Sequence, residues 1–206
     1  MHFTVIEHAL LKADLSVIRD EKTPNGLFRN RIARISEILA VEILKNAELK
    51  HFSVQTPLEK TVGFGLRNSY VLVPVLRAGL GLVDGFLKFL PDAGVSHIGV
   101  SRDETTHEPN FYYSNIPEKI QESICIILDP MLATGGSATL AADLLKAKGA
   151  KRLMLVSVVA APEGVRKLNE HHPDIAIYTA ALDRALNVNK FILPGLGDAG
   201  DRIFGT

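Results

Sequence analysis

Residues 124–137 read ICIILDPMLATGGS. An apolar, largely β-branched run (124–128) ends in an acid, Asp129. A small-residue loop then opens into ATLAADLLKAK (138–148). The pattern is a strand, a tight loop and a helix, with a carboxylate and two adjacent glycines at the junction. Thr134, Gly135, Gly136 and Ser137 can present successive backbone N–H groups and two hydroxyls to a phosphate. They do so at a helix N-terminus, where the dipole favours an anion. Glycine permits close backbone approach, at a cost of about 0.5–1 kcal/mol against alanine. Asp129, at the strand end, is placed to accept hydrogen bonds from sugar hydroxyls. The plainer alternative, a glycine turn with Asp129 as a solvated cap, accounts for neither the acid nor the Thr-Gly-Gly-Ser run. The loop therefore reads as a cradle for a sugar phosphate.

The segments on either side set the fold class. YVLVPV (70–75), SHIGVS (96–101), LMLVSVV (153–159) and DIAIYT (174–179) read as strands. GLVDGFLKFL (81–90) and PEGVRKLNEHH (162–172) read as helices, and Gly149 suits the end of the helix that follows the loop. Continuous apolar strands alternating with helices predict an α/β, Rossmann-like parallel sheet covered on both faces. Ligands of such sheets bind beyond the strand C-termini, which lines up residues 77–81, 102–103 and 129–137 along one edge. Nearer the N-terminus, Thr23-Pro24 reads as a helix N-cap followed by the first helical position. Phe28, Ile32, Ile35 and Leu39 then recur at helical spacing, as a stripe for the core or for a partner subunit. Two segments break the alternation. Residues 102–118 are polar and aromatic and read as a hairpin flap. The tail 191–206 is glycine-rich and apolar without a period, and is expected to lie against the body.

The whole chain of 206 residues reads as a single domain. Its 23 basic and 23 acidic side chains cancel, and no basic tract stands out, so a nucleic-acid groove has no electrostatic footprint. One cysteine, Cys125, placed mid-strand, excludes an intrachain disulfide and reads as packing. With no signal peptide evident and no apolar run long enough for a membrane, a cytoplasmic protein is expected. The seven histidines form no metal motif, and neither a Walker loop nor a G-x-S-x-G turn occurs.

ICIILDPMLATGGS resembles the phosphoribosyl-diphosphate-binding motif of type I phosphoribosyltransferases. Most of that superfamily has a second acid where Pro130 stands, and Asp-Pro-Met is the form found in uracil phosphoribosyltransferases. VLRAGLG (75–81), SRDETTHEP (101–109), AAPEGV (160–165) and PGLGDAGDRIFGT (194–206) agree. The resemblance spans essentially the whole chain.

That resemblance implies transfer of a phosphoribosyl group from 5-phospho-α-D-ribose 1-diphosphate (PRPP) to uracil, giving UMP and diphosphate in pyrimidine salvage. It implies that Arg77, Ala78, Gly79 and Arg102 receive the diphosphate. Asp129, Pro130, Met131, Leu132 and Ala133, with 134–137, hold the ribose phosphate. The flap at about 102–118 would close over the reaction. Ile192, Gly197, Asp198 and Ala199 would contact uracil, largely through backbone groups, with Asp198 also near the sugar or its metal. Asp129, Arg102 and Asp198 form the implied catalytic set. Mg²⁺ is the implied cofactor, held mainly through PRPP rather than by direct protein ligands. A homodimer or higher homo-oligomer is implied, with GTP as a candidate effector, and neither nucleic acid nor membrane as a partner.

Two other readings stand beside this one. GLGLVDG (79–85) is also a loose dinucleotide fingerprint, with Asp103 about 20 residues on, which would suit an NAD-dependent oxidoreductase. The arginine before its first glycine and the second phosphate loop favour diphosphate. A uridine-nucleotide sensor that binds RNA would use the same fold, but the neutral charge opposes it. The chain also departs from the family in places. Ser101 and Phe191 stand where tyrosine is common, Glu104 stands where proline is usual, and 184–190 differs from the usual Glu-rich form. Phe191 lacks a hydroxyl that could reach the ribose.

Overall fold

Along the strand Ser69–Leu76, Tyr70 and Leu72 pack into one core while Val71, Val73 and Val75 pack into a second. A strand apolar throughout, with successive side chains in different cores, must carry helices on both faces. The computed structural model, which describes residues 2–102, 109–118 and 120–206, has that architecture. Its elements begin with β1 (Phe3–Val5), α1 (Ala9–Arg19), α2 (Asn25–Leu44), β2 (Leu49–Gln55) and β3 (Lys60–Leu66). There follow β4 (Ser69–Leu76), α3 (Leu80–Leu87), β5 (Gly94–Val95), β6 (Ile98–Arg102), β7 (Pro109–Ser114) and β8 (Ser123–Leu128). The chain ends with β9 (Met131–Leu132), α4 (Gly136–Ala147), β10 (Arg152–Ala160), α5 (Pro162–His171), β11 (Ala176–Leu182), β12 (Ala185–Leu186), β13 (Ile192–Leu193) and α6 (Ala199–Phe204).

The main sheet runs β1-β11-β10-β8-β4-β6-β7, with β5 beside β4 and β9 beside β10. Its pairings are parallel except β6 with β7, whose antiparallel register sets Ser101 opposite Asn110 and Arg102 opposite Pro109. These two strands are the arms of the hairpin expected over 102–118. Its tip, residues 103–108, and the Arg102 side chain lie outside the described residues. Helices α1, α2, α3 and α6 cover one face of the sheet, and α4 and α5 the other.

The α2 stripe goes to the core. Phe28, Ile32, Ile35 and Leu39 are fully buried within the chain, each contributing about 1.5–3 kcal/mol. They are therefore not a surface for a partner. The helix also starts later than Thr23-Pro24 suggests: its first helical residue is Asn25, and Pro24 holds the cap position. Thr23 Oγ1 instead donates to Val17 O at 2.6 Å, closing the turn between α1 and α2. Cys125 is fully buried in β8, and burial pushes its thiol up to about 11. It packs and does no chemistry at neutral pH.

The tail lies against the body as expected, with Leu196, Ala199 and Ile203 buried. It is not a loop throughout, however. Asp198 Oδ1 accepts from Asp201 N at 3.0 Å, and Gly205 adopts φ 76°, so α6 has both an N-cap and a left-handed stop. Elsewhere β2 and β3 form an antiparallel hairpin that leaves Phe52, Val62 and Phe64 exposed. Among the described residues, no helix is long and apolar enough to cross a membrane.

Candidate active site

Strands β4 and β8 are neighbours, paired from Ser69 with Ser123 to Pro74 with Leu128, so their C-terminal ends open onto a common edge. Beyond that edge lies a cleft of about 650 Å³. Three stretches that are distant in sequence form most of its wall: the loop after β4, the loop between β8 and α4, and the turn before α6.

The loop after β8 is built by its own backbone. Asp129 N donates to Val156 O at 3.1 Å, and the Asp129 carboxylate accepts from Met131 N at 3.2 Å, which folds the chain back on itself. Pro130 O accepts from Val158 N and Val159 N, both at 3.0 Å, so Pro130 is turned toward β10. Gly135 sits at φ 79° in the N-cap position of α4, a conformation that favours glycine. Thr134 Oγ1 accepts from Gly136 N at 3.4 Å. Behind the loop stands the first turn of α5. A Cβ on Gly164 would fall 2.5 Å from Ala133 O and 2.8 Å from Leu132 O, so only glycine lets α5 press this close. The glycine of AAPEGV thus backs the phosphate-type loop. The glutamate of that motif reaches the other way: Glu163 Oε1 accepts from Leu186 N at 3.1 Å. Its own backbone N–H and that of Leu186 hold the carboxyl below its ordinary range.

The loop after β4 is similarly close-packed. A Cβ on Gly79 would meet Val75 N at 2.6 Å and Val75 O at 2.7 Å, which puts this glycine against the strand end rather than in the cleft. The Leu76–Arg77 peptide is cis. Arg77 is half exposed; it donates from Nη2 to Asp201 Oδ1 at 2.8 Å and from Nη1 to Thr206 Oγ1 at 3.0 Å.

Of the residues singled out from sequence, Arg77, Ala78, Asp129, Met131, Leu132, Ala133, Thr134, Gly135, Gly136 and Ser137 line the cleft. So do Ile192 of β13, Gly197 and Asp198 of the turn before α6, and Ala199 at the start of α6. Gly79 and Pro130 stand behind the lining.

A family model described as uracil phosphoribosyltransferase matches residues 5–206. The chain belongs to the uracil phosphoribosyltransferase family. It is an enzyme of the glycosyltransferase class, which removes the oxidoreductase alternative. A uracil phosphoribosyltransferase of Salinibacter ruber is 52% identical over 203 residues, covering 98% of this chain and 97% of the relative. One from Streptococcus salivarius is 50% identical over 205 residues, covering 99% and 98%. A solved structure of a protein from Aquifex aeolicus superposes with a TM-score of 0.94 at 34% identity, covering 99% of this chain and 98% of that one. A purine phosphoribosyltransferase from Pyrococcus horikoshii, at 15% identity and TM-score 0.52, shares the fold over 75% of this chain and 84% of its own.

For a uracil phosphoribosyltransferase site, sequence reasoning missed part of the wall. Asn189 and Lys190 line the cleft from the β12–β13 turn, beside the Phe191 singled out above, and Asn187 Oδ1 accepts there from Asn189 N and Phe191 N, both at 2.9 Å. The Asx-type signal in LNVN was available and would have marked a tight turn there. Tyr112, which the sequence leaves open between flap packing and ligand contact, lines the cleft from β7, its ring lying over Gly99, where a Cβ would collide with it.

Proposed function

We propose that these three walls divide the cleft by chemistry for the reaction of uracil with PRPP, which gives UMP, diphosphate and a proton. The amides of 133–137 at the α4 N-terminus take the 5′-phosphate, and Asp129 takes the ribose hydroxyls. Arg77, with Arg102 of β6, takes the diphosphate, and the turn 192–199 takes the base. The observation that carries this division is the pairing of Asp129 with an amide-rich helix start in one cleft wall, opposite a separate apolar and backbone-rich turn.

Arg77 is free to change partners. An ion pair as exposed as Arg77–Asp201 is worth about 0–1 kcal/mol, and a polyanionic diphosphate offers far more charge. As the bond from C1′ to the diphosphate loosens, positive charge develops on the ribose ring and negative charge on the leaving group. The guanidiniums stabilise the second while N1 of uracil bonds to C1′ from the other side. Mg²⁺ suits the cleft, since it prefers oxygen ligands and keeps waters, and Asp129 and Asp198 supply carboxylate oxygens on its lining. When bound with PRPP, it supplies charge neutralisation at the leaving diphosphate. Asp198 would act there with Oδ2, since Oδ1 caps α6.

The test is to incubate the protein with Mg²⁺, PRPP and each nucleobase in turn. UMP and diphosphate are expected in equal amounts from uracil; nucleotide formed from another base alone would overturn the assignment.

A homodimer is the assembly this reading favours, and GTP stays a candidate effector. Support for the dimer comes from the β2–β3 hairpin, with Phe52, Val62 and Phe64 between 49% and 60% exposed and Leu58 at its tip 93% exposed. Lone exposed apolar residues are ordinary, but a hairpin carrying several is a surface that a second copy can cover. Sedimentation velocity at micromolar concentration is expected to give twice the mass of the chain; a monomer would exclude the dimer.

A further inference from the structure

The turn that would read the base is gripped from behind by charged side chains outside the cleft. Gly195 N donates to Asp183 Oδ2 at 2.9 Å, and Gly195 O accepts from Arg19 Nη1 at 2.7 Å. Arg19 also clasps Asp183 with both terminal nitrogens, at 2.9 and 2.7 Å. Asp183 is anchored in turn, its N–H donating to Ala160 O at 2.8 Å at the end of β10. The next carbonyl, Leu196 O, accepts from Arg202 Nη1 at 2.7 Å, while Arg202 Nη2 donates to Asp20 O at 2.7 Å. The C-terminal end of α1 therefore holds this turn twice. Gly195 must be glycine for this to work, since it adopts φ 61° and a Cβ would strike Ile192 O. Two residues further on, Gly197 lines the cleft, and among the described residues its N–H and C=O take no backbone partner.

We propose that Asp183 and Arg19 are positioning residues for base recognition. By locking both polar groups of Gly195 they fix the peptide planes of 195–198, and with them the direction in which Gly197 faces uracil. The inference rests on the reading that 192–199 holds the base. Nothing in a merely structural ion pair requires both partners to reach the same backbone residue, one at its N–H and the other at its C=O. Neither side chain lines the cleft. The Asp183 side chain is only 5% exposed, so its charge is well shielded from water and fixed in direction.

Two variants and one control test this. In Asp183→Asn an amide NH₂ replaces one acceptor and opposes either Gly195 N–H or Arg19. The uracil KM is expected to rise about 10–100-fold, up to the loss that a misplacement of about 1 Å can cause, with the PRPP KM nearly unchanged. Arg19→Lys keeps the ion pair but lacks the fork that also reaches Gly195 O. It is expected to keep its thermal midpoint and raise the uracil KM about tenfold. Ala199→Val is the control, since Ala199 lines the cleft directly. If Ala199→Val raises the uracil KM and neither Asp183→Asn nor Arg19→Lys does, the positioning role is wrong and the base-site reading survives. If Ala199→Val also leaves it unchanged, the base is read elsewhere and both fail. Equal losses for uracil and PRPP in Arg19→Lys would show a general structural role and overturn the proposal.

Discussion

With cytosine in place of uracil, kcat/KM is expected to fall by about 10⁴-fold, with CMP formation at the edge of detection. The expectation comes from which backbone groups the turn has left to offer. Gly195 N, Gly195 O and Leu196 O are already engaged from behind, by Asp183, Arg19 and Arg202. The turn cannot rotate a peptide to suit a different base without breaking charge-assisted hydrogen bonds, which are the stronger kind. On the reading that 192–199 holds the base, a fixed N–H facing O4 and a fixed C=O facing N3–H would both match uracil. Cytosine inverts both, putting an amino group against a donor and a bare nitrogen against an acceptor. Each buried group left without its partner costs about 1–3 kcal/mol, and the two together approach the roughly 5.5 kcal/mol that a 10⁴-fold ratio requires. Initial rates of UMP and CMP formation at equal base concentration check it. Rates within about a hundredfold would mean that a side chain able to reorient, rather than a clamped backbone, reads the base.

Parts of this site could be read before any coordinates, for a physical reason. Strands β4, β8 and β10 are covered on both faces, so they appear as unbroken apolar runs, and the helices between them follow from the intervening pattern. The loop 129–137 is legible because an acid, small residues and a helix start coincide within nine positions. Most of what escaped has little or no local signature. Arg19 and Asp183 pair across 164 positions, and nothing near either residue marks it as half of a clamp. Helix α6 spans six residues, too few for a helical period to emerge, and only its caps, Asp198 and Gly205, could have announced it. Strands β2 and β3 are exposed along most of their length, so burial leaves no alternation to detect. Gly164 was visible as part of a motif, but its reason, the carbonyls of Leu132 and Ala133 pressed against it, exists only in three dimensions. The α2 stripe could be read as apolar, but the choice between core and partner was not local either. It depends on where α1, α3 and α6 fold back, and they cover it fully.

Asp129→Asn is expected to lower kcat by about 10²–10³-fold, or about 2.7–4 kcal/mol of transition-state stabilisation, while the protein stays folded. Asparagine is the informative substitution because it separates the two jobs of this side chain. One job is structural: Asp129 Oδ1 accepts from Met131 N and shapes the start of the loop. An asparagine Oδ1 can accept the same hydrogen bond, so the loop and the α4 N-terminus keep their form. The other job, the proposed one, is electrostatic. A carboxylate beside the ribose hydroxyls opposes the positive charge that grows on the ring as the diphosphate departs, and a neutral amide cannot. Its loss is felt mainly in the transition state, so kcat should fall well ahead of any rise in the PRPP KM. Steady-state kinetics with both substrates varied, alongside a thermal melt, distinguish the outcomes. A parallel loss of melting temperature would assign the effect to the loop's architecture. A kcat within about threefold of the unsubstituted enzyme would remove Asp129 from the chemistry and leave the amides of 133–137 to carry ribose phosphate binding without it.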